Sequence, residues 1–256
     1  MTTGKQKVAL VTGAAKRIGR AIALALAERG WDIIVHYGQS HNAAQATVSD
    51  IQAMGRQAVA IAADLADAEA VTQLFAQASG AFGQRISCVV NNASLFEQDS
   101  VEDFSTSRLD LHMHTNLVAP VLLARALHAM TPEGEQGVVI NLLDQKLFNM
   151  NPDFLSYTLS KASLATATTM LAQALAPRLR VVGVAPGISL VSGDQTVADF
   201  AKAHTMTPLG RSSTPEDIAA VVCFVAEAPA ITGTTIVVDG GQHLIPLQRD
   251  VMFIAK

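Results

Sequence analysis

Apolar residues in this chain cluster in short continuous runs, and longer stretches with a helical period separate them. Seven runs have the length and the Val and Ile content of β-strands. They are Val8–Thr12, Asp32–His36, Gln57–Ile61, Ile86–Val90, Gly137–Leu143, Arg180–Val184 and Thr235–Val238. Because most of these runs are apolar throughout rather than alternating, we expect the strands to be buried on both faces.

The stretches between the strands carry apolar residues at the period of an α-helix. They predict helices at Arg17–Arg29, Asn42–Met54, Asp67–Phe82, Arg108–Met130, Asp153–Ala176 and Pro215–Ala226. Pro120 lies inside the fourth helix, where we expect a bend. Strands that alternate with helices form right-handed units around a parallel sheet. The sequence therefore predicts an α/β fold, namely a Rossmann-type doubly wound domain with a seven-stranded parallel sheet flanked by helices.

The least regular stretch is Ile188–Ser213, between the sixth strand and the last helix. Connections of this length inside a compact domain are uncommon and often functional. We expect this stretch to be a substrate lid. Since the chain shows no linker, repeat or low-complexity tract, we expect residues 1–256 to form one domain.

Composition narrows the class of protein. The 256 residues are 50% apolar, with a formal net charge of −4 and no run of Lys or Arg, which argues against a nucleic-acid partner. The two cysteines, Cys88 and Cys223, lie too far apart for a disulfide framework or a clustered zinc site, and Cys88 is expected in the core. His112 and His114 point to different helix faces, so we expect no metal.

No apolar stretch reaches the roughly 18 residues that a membrane span requires. The polar start of the chain leads into an apolar run too short for a signal peptide. We therefore expect a cytoplasmic protein without a membrane segment. Its apolar excess must then be buried in a covered sheet or between subunits.

A glycine-containing turn links the first strand to the first helix, in the stretch Thr12–Gly19. Gly13 and Gly19 permit a tight turn and close approach of the backbone, and Arg17 and Ile18 lie between them. The N-terminus of the following helix offers free N–H groups to a pyrophosphate. Glycine between a strand and a helix also occurs for steric reasons alone. With a strand before it and a helix after it, the turn predicts dinucleotide binding.

The second strand indicates which dinucleotide is bound. Sites for NAD usually carry an acidic residue about 20 residues beyond the turn, bonded to the ribose 2′-hydroxyl. Here the strand ends in Val35–Ser40 without a carboxylate, and Asp32 lies at the opposite end. His36, Tyr37 and Ser40 could donate hydrogen bonds to a 2′-phosphate, and Lys16 or Arg17 could add positive charge. We therefore predict NADP(H).

Two further turns follow strands at the same edge of the sheet. Asp64 and Leu65 follow the third strand; Asp64 either caps the next turn or accepts a hydrogen bond from the adenine amino group. Asn91, Asn92 and Ala93 follow the fourth strand. Small residues there let the backbone pass close to a ribose, and the Asn side chains can tie neighbouring strands.

Tyr157 and Lys161 are four residues apart on a predicted helix, so both side chains lie on one face. A free tyrosine has a pKa of about 10 and is therefore a poor proton donor at neutral pH. A neighbouring ammonium favours the phenolate and lowers that pKa, which makes tyrosine a usable proton donor and acceptor. The same spacing also occurs by chance, with one side chain packed and the other solvated.

Together these features resemble the short-chain dehydrogenase/reductase family over essentially the whole chain. The matching residues are Thr12, Gly13, Gly19, Asp64, Asn91, Asn92, Ala93, Asn116, Tyr157, Lys161, Pro186 and Gly187. The resemblance implies that Tyr157 is the general acid/base and that Lys161 binds the nicotinamide ribose. It implies further that Asn116 orders a water that relays protons to Lys161, and that Pro186 to Ser189 contact the cofactor.

The chain departs from the family pattern at two positions. Arg17 replaces a small residue of the glycine turn, and Asp144 replaces the serine that lies 13 residues before the tyrosine. That serine donates a hydrogen bond to a substrate carbonyl, whereas a carboxylate donates only when protonated. Asp144 therefore suits a substrate that presents N–H donors or needs a proton on a ring nitrogen.

Both departures occur together in pteridine reductases, including those acting on dihydromonapterin and dihydrofolate, which the chain resembles more closely. The similar residues are Lys16, Arg17, His36, Tyr37, Asn92, Ala93, Ser94, Phe96, Asp144, Tyr157, Lys161 and Pro186–Leu190. The resemblance implies NADPH-dependent reduction of a pterin or folate ring stacked between the nicotinamide and Phe96. Arg17 and Ser94 would contact the polar edge of the ring or the cofactor phosphates. Asp144 and Tyr157 would protonate a ring nitrogen.

Alternatives remain for both the residues and the function. The alternative interpretation of Phe96 is a loop aromatic packed on the core. Gln39 replaces the arginine that pteridine reductases often have after the match to Tyr37. The protein could be an ordinary carbonyl reductase, for example of a 3-oxoacyl substrate, or a non-catalytic NADP-binding sensor. The family resemblance suggests a homotetramer built on Arg108–Met130 and Asp153–Ala176.

Overall fold

The computed structural model describes residues 7–191 and 195–254. In these residues seven parallel strands form one sheet in the order β3-β2-β1-β4-β5-β6-β7. The strands are β1 (Lys7–Val11), β2 (Trp31–Tyr37), β3 (Ala58–Ala62), β4 (Ile86–Asn91), β5 (Gly137–Leu142), β6 (Leu179–Pro186) and β7 (Thr235–Val238). The predicted seven-stranded parallel sheet is confirmed.

Helices connect the strands and cover both faces of the sheet. They are α1 (Arg17–Glu28), α2 (His41–Ala53), α3 (Ala68–Gly80), α4 (Thr106–Met113), α5 (Ala119–Met130), α6 (Leu155–Leu175), α7 (Val197–Thr205), α8 (Pro215–Glu227) and α9 (Val251–Ile254). The Thr214 hydroxyl accepts from the backbone N–H of Asp217, so Thr214 and Pro215 begin α8 as predicted.

The core consists of two layers of apolar side chains, one on each face of the sheet. Along β1, Ala9 and Val11 pack with α1 and α8, whereas Val8 and Leu10 pack with α3 and α5. All four side chains are fully buried. A strand covered on both faces needs apolar residues at every position, which is why the run was continuous rather than alternating.

The predicted long helix Arg108–Met130 is divided in the structure. A π-helical segment, His114–Val118, lies between α4 and α5. Pro120 follows this segment in the first turn of α5, and because it has no N–H it cannot donate to a carbonyl of the helical turn before it. The irregularity therefore lies ahead of the proline rather than at it, and Asn116 lies inside it. Single π-helical turns are frequent at functional sites.

The stretch 188–213 is more regular than its sequence indicated. It contains α7, which begins with a reciprocal pair of hydrogen bonds between Thr196 and Asp199. This capping arrangement was missed in a stretch without a clear apolar period. Residues 192–194 of the predicted lid lie outside the described residues, and the lid function itself stays a prediction.

Several smaller expectations concern buried or exposed side chains. Cys88 is fully buried in β4, as predicted. His112 is buried and His114 is exposed, so the two rings do point to different sides of the helix. Within the described part of the chain, no helix is both long enough and apolar enough to cross a bilayer.

Candidate active site

The turns that follow the parallel strands meet at one edge of the sheet and enclose two cavities. The first, which we call the β2–β3 cavity, has a volume of about 610 Å³. It is lined by Gly13, His36, Gly38, Gln39, Ala62, Ala63, Asp64, Leu65, Ala66, Ala93, Ser94, Leu95, Leu111 and Thr115. In open doubly wound sheets, ligands bind in the crevice at this edge, where the strand order reverses.

The second, which we call the tyrosine cavity, has a volume of about 210 Å³. Its lining includes Arg17, Ile18, Asn92, Ser94, Phe96, Asp144, Lys146, Tyr157, Lys161, Pro186, Gly187, Ile188, Ser189, Leu190, Gln195, Gln242, Asp250, Val251 and Met252. Ser94 lines both cavities. The two cavities therefore lie side by side along the edge of the sheet, and most of the predicted site residues line one or the other.

The glycine turn has the close packing that a dinucleotide site requires. Gly13 has a φ of +63°, in the left-handed region that glycine favours. A Cβ atom at Gly19 would lie 2.2 Å from the carbonyl oxygen of Gly13 and 2.5 Å from the side-chain nitrogen of Asn92. Lys16, the N-cap residue of α1, makes no side-chain cap hydrogen bond, so the first N–H groups of the helix are left for other acceptors.

His36 has a different role from the one predicted. Its Nδ1 accepts a hydrogen bond from the backbone N–H of Gly13 at 3.1 Å, and its Nε2 donates to the carbonyl of Ala63 at 3.2 Å. Burial lowers the pKa of the ring to about 4. The prediction that His36 donates to a 2′-phosphate is therefore wrong, because both ring nitrogens hold the glycine turn against β2 and β3.

The other predicted residues of the β2–β3 cavity surround its open side. The hydroxyl of Tyr37 is hydrogen-bonded to Nδ1 of His41 at 2.8 Å, and Ser40 lies at the N-cap of α2, beside the cavity-lining Gln39. Asp64 accepts a hydrogen bond from the backbone N–H of Ala66 at 2.9 Å, which is the turn-capping interpretation. Leu65 is buried beside it. Contact of Asp64 with adenine stays a prediction.

The Asn-Asn-Ala turn ties neighbouring strands together, as its residues suggested. The amide of Asn92 donates to the carbonyl of Thr12 at 2.9 Å, and the backbone N–H of Ala93 donates to the hydroxyl of Thr12 at 3.0 Å. Asn91 is buried within the sheet, and its amide donates to Asn141 at 2.8 Å. The side chain of Asn91 therefore supports the turn from inside the sheet, and contact of Asn91 with the cofactor stays a prediction.

Asn116 joins the loop after β4 to α6. Its amide nitrogen donates to the carbonyl of Leu95 at 3.0 Å and to the hydroxyl of Ser160 at 2.9 Å. Its oxygen accepts from the backbone N–H of Leu95 at 2.8 Å and from the hydroxyl of Ser94 at 3.2 Å. These bonds position the end of the loop beside α6. The water relay from Asn116 to Lys161 stays a prediction.

Three titratable side chains meet at the base of the tyrosine cavity. The hydroxyl of Tyr157 donates to the carboxylate of Asp144 at 2.7 Å, and the other oxygen of that carboxylate accepts from the backbone N–H of Lys146 at 2.8 Å. Lys161 donates to the carbonyl of Leu142 at 2.7 Å. Its ammonium lies 5.8 Å from the centre of the Tyr157 ring. The spacing of Tyr157 and Lys161 thus places both on one face of α6, towards the cavity.

The protonation of these groups is dominated by burial. Burial raises the pKa of Asp144, and it lowers the pKa of Lys161 to about 8. Burial, and then the neighbouring carboxylate of Asp144, raise the pKa of Tyr157 well above its usual value. The expected net lowering of the Tyr157 pKa by Lys161 is not found, because burial and then the carboxylate of Asp144 shift this pKa upwards. The pair of Tyr157 and Asp144 therefore retains its proton at neutral pH.

Phe96 stands at the wall of the tyrosine cavity. Its ring stacks on Phe154 with the centres 4.4 Å apart, and it meets the ring of Tyr157 edge-on at 4.7 Å. The side chain is nevertheless 39% exposed. The ring is thus packed on one side, as in the alternative interpretation, and still accessible from the cavity.

Arg17 lies between the glycine turn and the segment that follows β6. It has a φ of +54°, which is unusual for a residue other than glycine, and its guanidinium donates to the carbonyl of Val191 at 2.9 Å. The residues Pro186, Gly187, Ile188 and Ser189 line the same cavity. A Cβ atom at Gly187 would lie 2.4 Å from the hydroxyl of Ser212, so the chain turns there without room for a side chain.

Three groups of cavity residues were not predicted. Gln242 accepts a hydrogen bond from the backbone N–H of Ile188 at 3.0 Å, and Lys146 and Asp250 form an ion pair of 3.2 Å at the cavity wall. Val251 and Met252 line the cavity from the end of the chain. These residues belong to segments without a recognisable motif. The only available signal was the presence of charged residues, Arg249 and Asp250, in a chain with few charges.

Comparisons with known proteins agree with this geometry. Residues 13–243 match the family model described as Enoyl-(Acyl carrier protein) reductase. A 3-oxoacyl-[acyl-carrier-protein] reductase from Synechocystis is 35% identical over 246 residues, which are 94% of this chain and 98% of that protein.

Two solved structures are also similar to this chain. The FolM alternative dihydrofolate reductase 1 from Brucella canis, complexed with NADP, has a TM-score of 0.91 and 39% identity over 96% of this chain and 97% of that one. A short-chain dehydrogenase from Burkholderia cenocepacia, also in complex with NADP, has a TM-score of 0.85 and 34% identity over 93% and 98%. Given this coverage and identity, the chain belongs to the short-chain dehydrogenase/reductase family of oxidoreductases.

Proposed function

We propose that this protein reduces the ring of a pterin or a dihydrofolate, with NADPH as the hydride donor. The single observation that carries the proposal is the hydrogen bond of 2.7 Å between Tyr157 and Asp144. The family pattern has a serine in place of Asp144, and a serine hydroxyl can donate to a substrate carbonyl at any pH. A carboxyl group next to the tyrosine instead suits a substrate that takes up a proton on nitrogen.

The protein is an NADP(H)-dependent reductase. The related structures from Brucella canis and Burkholderia cenocepacia contain NADP. The residues of this chain fit that cofactor, because Gly13 and Gly19 let the turn pack tightly without side chains and the first turn of α1 has no side-chain cap. No carboxylate follows β2, and Asp32 at its opposite end is paired with Arg56 at 2.6 Å. A 2′-phosphate beside Gln39 and Ser40 would therefore meet no negative charge from β2.

The reaction in this proposal adds two electrons and two hydrogens across a carbon–nitrogen double bond. Bound NADPH would supply the hydride for the ring carbon and would thereby become NADP⁺. The phenol of Tyr157 gives its proton to the adjacent ring nitrogen. Asp144, whose pKa is raised by burial, accepts the hydrogen bond of the phenol before the transfer and, when protonated, can return a proton to the phenolate afterwards. The charge of Lys161 limits the cost of the transient phenolate.

The side walls of the tyrosine cavity support a flat, polar-edged substrate. The accessible ring of Phe96 offers a surface for stacking, and offset aromatic pairs contribute about 1 kcal/mol beyond the area that they bury. Arg17 and Ser94 lie at the rim, where donors can reach the polar edge of a pterin or a cofactor phosphate. We propose these three residues as substrate contacts.

A second candidate is the reduction of a 3-oxoacyl substrate. The relative from Synechocystis bears that name at 35% identity, so the overall sequence does not separate the two activities. The residue that separates them is Asp144, which would have to be protonated to donate to a ketone. Reduction of the pterin ring uses the Tyr157–Asp144 pair in the arrangement found, and we favour it for that reason.

The experiment that tests the proposal follows NADPH oxidation with a panel of substrates. The panel contains dihydrobiopterin, dihydromonapterin, dihydrofolate, a 3-oxoacyl thioester and simple ketones. We expect turnover with at least one of the pterins or with dihydrofolate, and far slower turnover with the thioester and the ketones. Turnover of carbonyl substrates alone would overturn the proposal in favour of the second candidate.

We also propose that the protein forms a homotetramer through α5 and α6. An apolar groove between these helices is lined by Leu117, Val118, Val121, Leu122, Ser163, Thr166, Ala167 and Met170. Met170 is 63% exposed in the single chain, and a second copy packed on the groove would cover it. Light scattering after size exclusion should give the mass of four chains, and Ala167→Glu should reduce it. A monomeric wild-type protein would contradict the proposal.

A further inference from the structure

The end of the chain returns to the tyrosine cavity after β7. Asp250, Val251 and Met252 line the cavity, and we refer to residues 247–254 as the C-terminal segment. Val251 is buried and packs with Ala203 of α7, and Leu247 packs against the same small cluster. The segment therefore lies between the cavity and α7, and its side chains form part of the cavity wall.

Lys146 connects the C-terminal segment to the catalytic carboxylate. Its side chain is 3% exposed, and its ammonium donates to the carbonyl of Asp153 at 2.7 Å and to the carboxylate of Asp250 at 3.2 Å. The backbone N–H of the same residue donates to Asp144 at 2.8 Å. A buried ammonium is costly unless it is paired, so Lys146 favours the position of the segment in which Asp250 faces it.

A second ion pair holds the same segment. The Nε of Arg249 donates to the carboxylate of Asp153 at 2.9 Å, and the backbone N–H of Asp250 donates to that carboxylate at 2.7 Å. Asp153 thus binds the segment with its side chain while its carbonyl binds Lys146. The two contacts fix the segment immediately before the residues that face the cavity.

Stacked aromatic rings link the C-terminal segment to Phe96 at the wall of the tyrosine cavity. Phe253 stacks on Phe154 with the ring centres 5.9 Å apart, and Phe154 stacks on Phe96 at 4.4 Å. The ammonium of Lys146 lies 5.2 Å from the centre of the Phe154 ring. Phe154 has a φ of +56°, a strained conformation for a bulky residue, which persists only where the surroundings hold it. The C-terminal segment supplies one of those surroundings.

We propose that the C-terminal segment is a specificity-determining wall of the substrate site, and that the ion pair between Lys146 and Asp250 holds it in place. The position of Met252 and Val251 limits the room beside Phe96 and Tyr157. An unsubstituted bicyclic ring fits beside this wall, whereas a large substituent on the ring clashes with it. The size selection rests on the proposed pterin reductase function, but the attachment of the segment through Lys146 and Asp250 does not.

The attachment is tested by amide hydrogen exchange in the full-length protein. Asp250→Asn and Lys146→Met each remove one charge of the buried pair, and Arg249→Gln weakens the second contact at an exposed position. The matched control is Glu227→Gln, which neutralises the ion pair of Lys7 and Glu227 at the other end of the sheet. In Asp250→Asn we expect amide exchange in residues 247–254 to become at least about tenfold faster, because the loss of the ion pair makes local opening of the segment easier. In the control we expect it to be unchanged.

Unaltered exchange of the segment in Asp250→Asn and Arg249→Gln would overturn the attachment. Both are conservative changes at residues that are not fully buried, so a folded variant should be available even if Lys146→Met unfolds. Faster exchange throughout the protein, rather than in residues 247–254, would also count against the proposal. Circular dichroism of each variant distinguishes that outcome from local release.

The wall is tested by substrate selection in Met252→Ala. We expect the ratio of kcat/KM for dihydrofolate to that for dihydrobiopterin to rise about threefold or more, as for a few methylene-sized contacts, with the KM for NADPH unchanged. The control is Met54→Ala, an exposed methionine at the end of α2. An unchanged ratio in an enzyme that turns over both substrates would refute the wall. An enzyme that reduces neither substrate refutes the proposed function instead, while hydrogen exchange still decides the attachment.

Discussion

The β2–β3 cavity is formed by backbone and by side chains bonded within the fold, whereas the tyrosine cavity is formed by buried charged and aromatic side chains. Around the β2–β3 cavity, His36 bonds to the backbone of two neighbouring turns, and Asp64 bonds to the backbone of its own turn. Their hydrogen bonds are used to hold turns in place. This cavity therefore offers shape and backbone rather than free charged groups, which suits the predicted binding of a dinucleotide.

The tyrosine cavity contains groups whose pKa values are shifted from their ordinary values. Tyr157 and Lys161 are both nearly inaccessible, and burial shifts their pKa values in opposite directions, upwards for the phenol and down to about 8 for the ammonium. Two residues with left-handed backbone, Arg17 and Phe154, border the same cavity or pack behind it. Strain and displaced pKa values cluster where chemistry occurs. We therefore expect changes in the tyrosine cavity to affect turnover, and changes in the β2–β3 cavity to affect binding and stability.

The largest effect is expected for Tyr157→Phe. Removal of the hydroxyl deletes the proton donor but preserves the ring that packs on Phe96. We expect kcat with the best pterin substrate to fall at least about 10²-fold, the loss typical of a general acid, with the Kd for NADPH unchanged. The matched control is Tyr37→Phe, since Tyr37 is the other tyrosine of the chain and lies beside the β2–β3 cavity. A Tyr157→Phe enzyme that keeps most of its turnover would place the proton donor elsewhere.

A somewhat smaller and more selective loss is expected for Asp144→Ser. The substitution restores the family residue, so the hydroxyl can donate to a carbonyl but can no longer hold or return a proton. We expect kcat for the pterin to fall by roughly 10- to 100-fold, while the Kd for NADPH stays the same and slow reduction of ketones increases. Asp144→Asn serves as the control of similar shape. Equal loss of pterin turnover and of NADPH binding would show that Asp144 supports the fold rather than the proton transfer.

The strands, helices and turns that could be predicted from the sequence are those that a local pattern of residues determines. The continuous apolar run of β1 and the turn between Gly13 and Gly19 required no information about distant residues. The pairing of Tyr157 with Asp144 was expected only from the resemblance of the chain to pteridine reductases, and the structure shows the hydrogen bond between them.

The parts that were not predictable depend on contacts between distant segments. Nothing in the sequence around His36 indicates that its ring bonds to Gly13 and Ala63. The upward shift of the Tyr157 pKa depends on the burial of the side chain and on the carboxylate of Asp144, neither of which the spacing of Tyr157 and Lys161 indicates. The C-terminal segment reaches the cavity through Lys146, which is 104 residues before Asp250 in the chain. Such pairings have no local periodicity or motif, so the structure was needed to find them.

Protonation of His36, which lines the β2–β3 cavity, should lower the free energy of unfolding. The pKa of the ring is about 4 in the folded protein, against an ordinary value of 6.5. Because the folded pKa is the lower one, the neutral ring contributes stability above pH 6.5, and this contribution is lost as the pH falls towards 4. By linkage, this group alone should remove about 2 kcal/mol of unfolding free energy between pH 7 and pH 5. Urea titrations at the two pH values measure the change.

The control for His36 separates it from other titrating groups. His36→Gln should show a smaller loss of unfolding free energy between the same pH values than the wild type, whereas His114→Gln, at an exposed histidine, should behave as the wild type does. Equal losses in all three proteins would mean that His36 does not carry the pH dependence. That outcome would also mean that the hydrogen bonds of His36 do not distinguish the β2–β3 cavity from the tyrosine cavity.

The smallest effect is expected for cofactor selection at Gln39→Asp. Gln39 lines the β2–β3 cavity directly after β2, so a carboxylate there would repel a 2′-phosphate and accept a hydrogen bond from a ribose 2′-hydroxyl. We expect the ratio of kcat/KM for NADPH to that for NADH to fall about tenfold, with kcat for the preferred cofactor little changed. Gln39→Asn is the neutral control. If the ratio stays constant in Gln39→Asp, the 2′-phosphate does not lie beside β2, and the β2–β3 cavity selects its cofactor by some group other than those at the end of that strand.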